Sequence, residues 1–301
     1  MEPLTDQQVK ELVTRANAIR QTIIEMLLAA GSGHTAGPLG MADIFTALYF
    51  HVLNHDPKNP AWEERDRLML SNGHITPVRY ATMAHAGYFP IEECLTLRKF
   101  GSRLQGHPER EKLPGVETTS GPLGSGLSQA SGYAYAARMD PIRETSSSNG
   151  AGGTRSRNFR VYCVMSDGEH QEGNLWEAMM FAGKNRLSNL TAIIDRNNIQ
   201  IDGMTESIMP LEPLREKYEA FNWHVLEIDG HNIPQFIAAC EEAKAIYEKP
   251  TVIIAHTIPG KGVKEIEFDY HWHGKPPGKE EAAKFLNELR TLKGKVKSEH
   301  Q

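Results

Sequence analysis

The sequence predicts an α/β fold, three layers deep, with a parallel sheet between helices on both faces. Three observations carry this. Residues 159–165 read FRVYCVM and 191–194 read TAII, runs rich in strand-forming side chains. Further strand-like runs at 68–70, 224–228 and 251–256 are separated by segments of helical spacing, the order that builds a parallel sheet. Two of the runs also stop at polar corners, Ser166-Asp167-Gly168 and Asp195-Arg196-Asn197-Asn198. In a parallel sheet both corners open on one edge, where such sheets bind ligands.

The elements follow in order. Thr5 is placed to cap a helix reaching about residue 30, with Val9, Leu12, Ala16, Ile19, Ile23 and Leu27 at helical spacing. Gly31-Ser32-Gly33-His34 ends it, and residues 37–40 continue a glycine-rich turn. Residues 41–52 read as a mostly buried helix and 54–60 as a loop. The strand at 68–70 ends at Ser71-Asn72-Gly73-His74, and helices are expected over 77–85 and 91–100. Residues 101–126 show little periodicity, and a loop of that length calls for a functional reason. Helices are then expected over 127–138, 174–187, about 211–221 and 233–247. Residues 146–156 read SSSNGAGGTRS, and 146–157 is taken as a flexible insertion. After a Pro/Gly break at 275–278, residues 279–292 form an amphipathic helix within a C-terminal tail, 275–301.

The bulk numbers exclude several classes. At 301 residues the chain suits one large α/β unit, and 40% hydrophobic with 24% charged residues is a soluble globular composition. A net charge of −5 argues against nucleic acid or a membrane surface as partner. Cys94, Cys163 and Cys240 are far apart and form no CxxC, so a reducing cytoplasm is expected. Neither a signal peptide nor a membrane span is visible.

The corners carry the chemistry. An Asp carboxylate, an Asn amide oxygen and a backbone carbonyl are hard oxygen ligands that suit Mg²⁺ or Ca²⁺. Mg²⁺ usually keeps positions for phosphate oxygens. Either corner alone reads as a turn; together, each after a strand, they favour a metal–diphosphate site. Several of the 13 histidines sit beside glycine, among them Gly33-His34, Gly73-His74, Gly106-His107 and His273-Gly274. All fall in expected loops, which suggests one shared polar pocket. No HExxH occurs, so zinc is disfavoured, and imidazoles beside an anionic ligand would donate hydrogen bonds and move protons.

With these residues in view, the chain resembles the N-terminal half of transketolase. The segments are SGHTAGPLGMAD from Ser32, LSNGH from Leu70, QGHPE from Gln105, GVETTSGPLGSG from Gly115, SDGEHQEGNLWEA from Ser166 and DRNNIQIDG from Asp195. They keep the family's order and cover most of 10–275. The resemblance implies thiamine diphosphate, a divalent metal (Mg²⁺, or Ca²⁺ or Mn²⁺) on the diphosphate, and transfer of a two-carbon ketol unit between sugar phosphates. It makes Asp167 and Asn197 metal ligands through side chains and Ile199 through its carbonyl. Gly168 would offer its N–H to the diphosphate. His74, Gly121 and Leu123 would line the cofactor, and His34, His107 and His273 would hold ketol hydroxyls and pass protons. Glu172 would couple two cofactor sites across a subunit interface, where the residues alone would read only a helix N-terminal acid. Residues 1–274 would form the diphosphate and metal domain.

Departures accompany the match. Ser166 replaces the first glycine of the usual GDG, Thr35-Ala36 follows His34 where proline and glycine are common, and Pro259 stands where some members carry lysine. Lys261 lies two residues later, with its reach into the pocket open. His271 competes with His273, which is preferred because it precedes Gly274. The largest departure is the aminopyrimidine-binding domain, for which the residues after Gly274 have no length. The resemblance therefore implies a split enzyme whose C-terminal subunit supplies that domain, with this chain a homodimer when alone or part of a heterotetramer with its partner. Other readings are a subunit of a 1-deoxyxylulose-phosphate synthase-like or 2-oxo acid dehydrogenase enzyme, or a noncatalytic interaction protein that kept the fold.

Overall fold

Five parallel strands form the sheet: β1 (Arg67–Leu70), β4 (Val161–Ser166), β5 (Leu190–Arg196), β8 (His224–Asp229) and β9 (Thr251–His256), in the order β1-β4-β5-β9-β8. They belong to a computed structural model that describes residues 4–139, 142–143, 154–155 and 159–291. Two short antiparallel pairs complete the strands: β2 (Ile142–Arg143) with β3 (Thr154–Arg155), and β6 (Ile199–Gln200) with β7 (Gly203–Met204). Apart from 154–155, the expected insertion 146–157 lies outside the described residues, as does the end of the expected tail, 292–301.

The central strands β4 and β5 are buried along their whole length. Alternate side chains of β4 serve two cores. Tyr162 and Val164 face one that also holds Ile19, Ile23, Phe45 and Phe236; Val161, Cys163 and Met165 face another with Leu127, Leu175, Tyr218 and Trp223. A strand covered on both faces cannot alternate apolar with polar, which is why FRVYCVM is apolar nearly throughout. The first core is built by α1 (Asp6–Ala30), α2 (Ala36–Gly40), α3 (Ala42–Ala47), α4 (Thr76–His85) and α9 (Ile233–Ala245). The second is built by α5 (Gly126–Met139), α6 (Gly173–Lys184) and α8 (Leu214–Ala220), with the short α7 (Thr205–Ile208) preceding α8 in the chain. Helix α10 (Lys279–Thr291) packs on α1, and its Phe285 is fully buried in the first core.

Thr5 caps α1 through a full capping box with Gln8, as its position predicts. Three local expectations are corrected. Residues 37–40 are helical rather than a turn. The expected helix 41–52 is α3 followed by a π-helical turn, Leu48–Val52, closed by Leu53 N–H onto the Leu48 carbonyl. Residues 91–100 form only a 3₁₀ stretch, Ile91–Thr96. Their buried anchors, Cys94 and Leu97, are three apart, and Arg98 has φ 60°, so an α-helix has neither the stripe nor the continuation. Among the described residues no helix is long and apolar enough to cross a membrane.

Candidate active site

Register brings the two polar corners together. Ser166 pairs with Asp195 across β4 and β5, and Asp167 N–H donates to the Asp195 carbonyl at 3.2 Å. The residues after both strands meet at one sheet edge, beside a cavity of about 410 Å³. His34, His74, His107 and His273 line it, with Gly121 and Leu123 from the long loop; Gly168, Glu172 and Ile199 complete the expected set. Asp167 and Asn197 sit behind that wall, both buried.

The histidines arrive from four segments. Gly33 has φ 128°, and a Cβ there would lie 2.6 Å from Leu27, so the turn that delivers His34 needs glycine. A Cβ at Gly73 would meet Ser120 Oγ at 2.5 Å, so glycine also lets the β1 corner approach the loop carrying Gly121. His34, His74 and His273 form a triangle with ring centroids 4.8–5.5 Å apart. Burial, and then neighbouring imidazoles and Arg98, push the His34 pKa down to about 4. Burial alone takes His273 to about 4. His74 falls well below the usual value through burial and then His34, and His107 is lowered by burial and then Arg98. At neutral pH the wall is therefore a set of neutral imidazoles. His34 Nδ1 and His273 Nδ1 are buried with no hydrogen-bond partner among the described residues, an arrangement that suits a polar ligand. His271 instead points outward, 70% exposed, and its Nδ1 lies 2.7 Å from Asp269. Lys261 is buried and is not part of the cavity wall.

Asp167 is held on both oxygens. Oδ1 accepts Gly168 N–H at 2.7 Å; Oδ2 accepts Asn198 N–H at 2.7 Å and an Arg196 guanidinium N–H at 3.0 Å. Burial raises its pKa while Arg196 opposes the rise. Arg196 is itself gripped by Glu206 at 2.5 Å and Glu212 at 2.9 Å. Asn197 Nδ2 donates to Asp195 Oδ2 at 2.8 Å, which fixes the amide and leaves Oδ1 as its acceptor, now taken by Ile199 N–H at 3.0 Å. Burial lifts Asp195 to about 7, and Thr257 donates its hydroxyl to it.

A divalent cation with a diphosphate fits this donor set. One carboxylate, one oriented amide oxygen and a carbonyl are hard ligands, and four neutral imidazoles are part of the cavity lining beside them. At Gly168 a Cβ would lie 2.7 Å from Gln200 Nε2, so the backbone is bare on the side facing the β6 segment. Its N–H donates to Asp167 Oδ1. Among the described residues no group of three or more His, Cys, Asp or Glu is placed to hold a metal, so the mixed oxygen set is the available one.

Sequence reasoning missed part of the wall. Gln171, Gln200, Ile201 and Asp202 line the cavity, and Ile201 is 65% exposed. They lie within the matched segments, and their place on the wall depends on the β6–β7 hairpin, which the sequence does not announce. Glu169, fully buried at the cavity, has its pKa raised to about 7 by burial despite three hydrogen bonds to it.

Compared with known proteins, residues 12–293 match the family model for the transketolase thiamine diphosphate binding domain. The 6-deoxy-6-sulfo-D-fructose transketolase subunit of Clostridium sp. (strain MSTE9) is 44% identical over 259 residues, 86% of this chain and 88% of the relative. An apulose-4-phosphate transketolase subunit of Phocaeicola vulgatus is 36% identical over 97% of this chain and 99% of the relative. The solved transketolase of Leishmania mexicana superposes with a TM-score of 0.84 at 34% identity, over 93% of this chain but 41% of that one. The chain belongs to the transketolase family and carries its thiamine diphosphate-binding domain.

Proposed function

We propose that this chain is the N-terminal subunit of a two-chain transketolase, which transfers a two-carbon ketol unit between sugar phosphates once a partner supplies the aminopyrimidine-binding domain. The observation that carries this is four neutral histidines around one cavity with Asp167 and Asn197 buried behind its wall, in a chain that matches separately named subunits along most of their length. Those relatives are named for sugars bearing a sulfonate or a phosphate, and a sugar carrying such an anionic group is the substrate class we assign. Residues 1–274 would form the cofactor unit, 275–301 its helical tail. A cytoplasmic setting goes with the buried free thiols of Cys94, Cys163 and Cys240.

In this reading Asp167, Asn197 and the Ile199 carbonyl hold a divalent cation, Mg²⁺ in the first instance, and Gly168 N–H faces the diphosphate. Bound thiamine diphosphate supplies a carbon nucleophile that accepts the ketol unit. His34, His107 and His273 hold substrate hydroxyls and move protons at their ring nitrogens. His74, Gly121 and Leu123 line the cofactor. Glu172, at the N-terminus of α6 on the cavity rim, faces outward toward a second subunit.

The test is Asp167→Ala in the assembled enzyme. Removing the one charged ligand would weaken the hold on the cation, and without the cation the diphosphate's charge is uncompensated. Calorimetric titration with thiamine diphosphate and Mg²⁺ should show metal-dependent binding in the wild type and none in the variant. Wild-type affinity in Asp167→Ala would reject the metal assignment.

A further inference from the structure

Glu169 has a geometry that the roles above do not use. Its carboxylate is fully buried, yet among the described residues no cation pairs with it. Oε2 accepts the Ser71 hydroxyl at 2.6 Å and Gly124 N–H at 2.7 Å, and Oε1 accepts Ser166 N–H at 2.7 Å. Ser71 Oγ in turn accepts Gly126 N–H at 3.0 Å. The donors come from three separate segments: the end of β1, the turn before α5, and the end of β4. A buried carboxylate without a counter-charge is a costly way to fill space, and an apolar side chain would pack the site more cheaply. What it does here is accept from three converging donors at once.

The turn being held is the one that forms the cavity wall. Gly124 follows Leu123 directly, and Gly121 and Leu123 both line the cavity. The turn is also seated without slack. A Cβ at Gly124 would lie 2.6 Å from Glu172 Cβ, and one at Gly126 would lie 2.3 Å from Ser71 Cβ. Contact alone stops the turn from moving inward; the hydrogen bonds to Glu169 and Ser71 stop it from lifting away.

We propose that Glu169 is a positioning residue for the cofactor site, an acceptor hub that ties the Gly121–Gly124 turn to the ends of β1 and β4 and so sets the wall formed by Gly121 and Leu123. The inference rests on the reading of this cavity as a thiamine diphosphate site. In Glu169→Gln one oxygen becomes an NH₂, which must face a donor whichever way the amide is turned. Ser71→Ala removes one arm and leaves the carboxylate in place.

The experiment measures thiamine diphosphate binding, with Mg²⁺, to the full chain assembled with its partner. Leaving a buried backbone N–H without its acceptor should weaken binding in Glu169→Gln by about 10-fold or more. Ser71→Ala should weaken it in the same direction by less, and the double variant should fall short of the sum, since both act on one turn. The KM for the cofactor should rise while kcat at saturating cofactor stays near wild type, a split that a general loss of folded protein would not produce. Unchanged affinity in Glu169→Gln, or a fall in kcat with KM untouched, overturns the proposal. Should Glu169→Gln not fold, wild-type affinity in Ser71→Ala overturns it equally. Absence of cofactor binding by the wild-type assembly would instead reject the reading of the cavity.

Discussion

At the residue scale, the neutral histidine wall is the property with the sharpest consequence. His34, His74 and His273 crowd one another in a half-buried corner, where desolvation opposes protonation of each ring and neighbouring imidazoles add to it at His34 and His74. Protonation is therefore displaced below the ordinary range for histidine. Ring signals of His34 and His273, followed by NMR, should titrate near pH 4 and stay in the neutral form at pH 6. A midpoint at the ordinary value of about 6.5 would contradict the burial argument. Neutral rings can accept as well as donate, which substrate hydroxyls require. Alanine at His34, His107 or His273 should lower turnover by roughly 10²–10⁴-fold with cofactor affinity preserved. Near-normal turnover in all three variants would remove them from the site. Each of these showed in the sequence as a histidine beside a glycine, a mark that Gly230-His231 shares although it joins Asp43 instead. Glu169 did not show: a buried acid inside SDGEH carries no mark of burial, and its partners Ser71 and Gly124 are 98 and 45 positions away.

At the element scale, three helices meet at one buried charge cluster. Arg20 of α1 makes a two-pronged contact with Asp43 of α3, at 2.5 and 3.2 Å, and its Nε donates to the Leu39 carbonyl of α2. His231, ahead of α9, has Nδ1 2.8 Å from Asp43, and its Nε2 accepts Ile258 N–H. Arg20 holds the Asp43 carboxyl well below the usual range against the opposing effect of burial. Asp43→Ala leaves the Arg20 guanidinium buried without its anion, and loss of one partner of a buried pair typically costs about 3–5 kcal/mol. Urea unfolding should report a loss of that order; a change below about 1 kcal/mol would show that the guanidinium finds other partners. The strands and long helices were readable from periodicity. The stretch 91–100 was not, because its apolar residues fit a helical window while Arg98 takes a left-handed backbone that spacing does not reveal. The β6–β7 hairpin was hidden for a related reason. Each of its strands is two residues long, too short to show alternation.

At the scale of the whole molecule, the sheet edge is a one-sided site. In the proposed reading, residues of this chain would answer the diphosphate, metal and hydroxyl groups, from the ends of β4 and β5 and from the four segments that carry the histidines. Leu123, at 40% exposed, and Ile201, at 65%, line the cavity and present apolar surface to solvent. If a partner chain supplies the rest of the site, as proposed, this chain alone leaves the reacting groups without the orientation on which much of the rate depends. The fold class was legible from strand-then-helix order, and the corner pairing from parallel register. The need for a second chain came from the family resemblance, since the residues themselves do not record what they face. The most direct measurement is turnover of xylulose 5-phosphate with ribose 5-phosphate by the purified chain, with and without a partner carrying the aminopyrimidine-binding domain, free of host transketolase. Activity should appear only when the two chains are combined; robust turnover by the 301-residue chain alone would contradict the account.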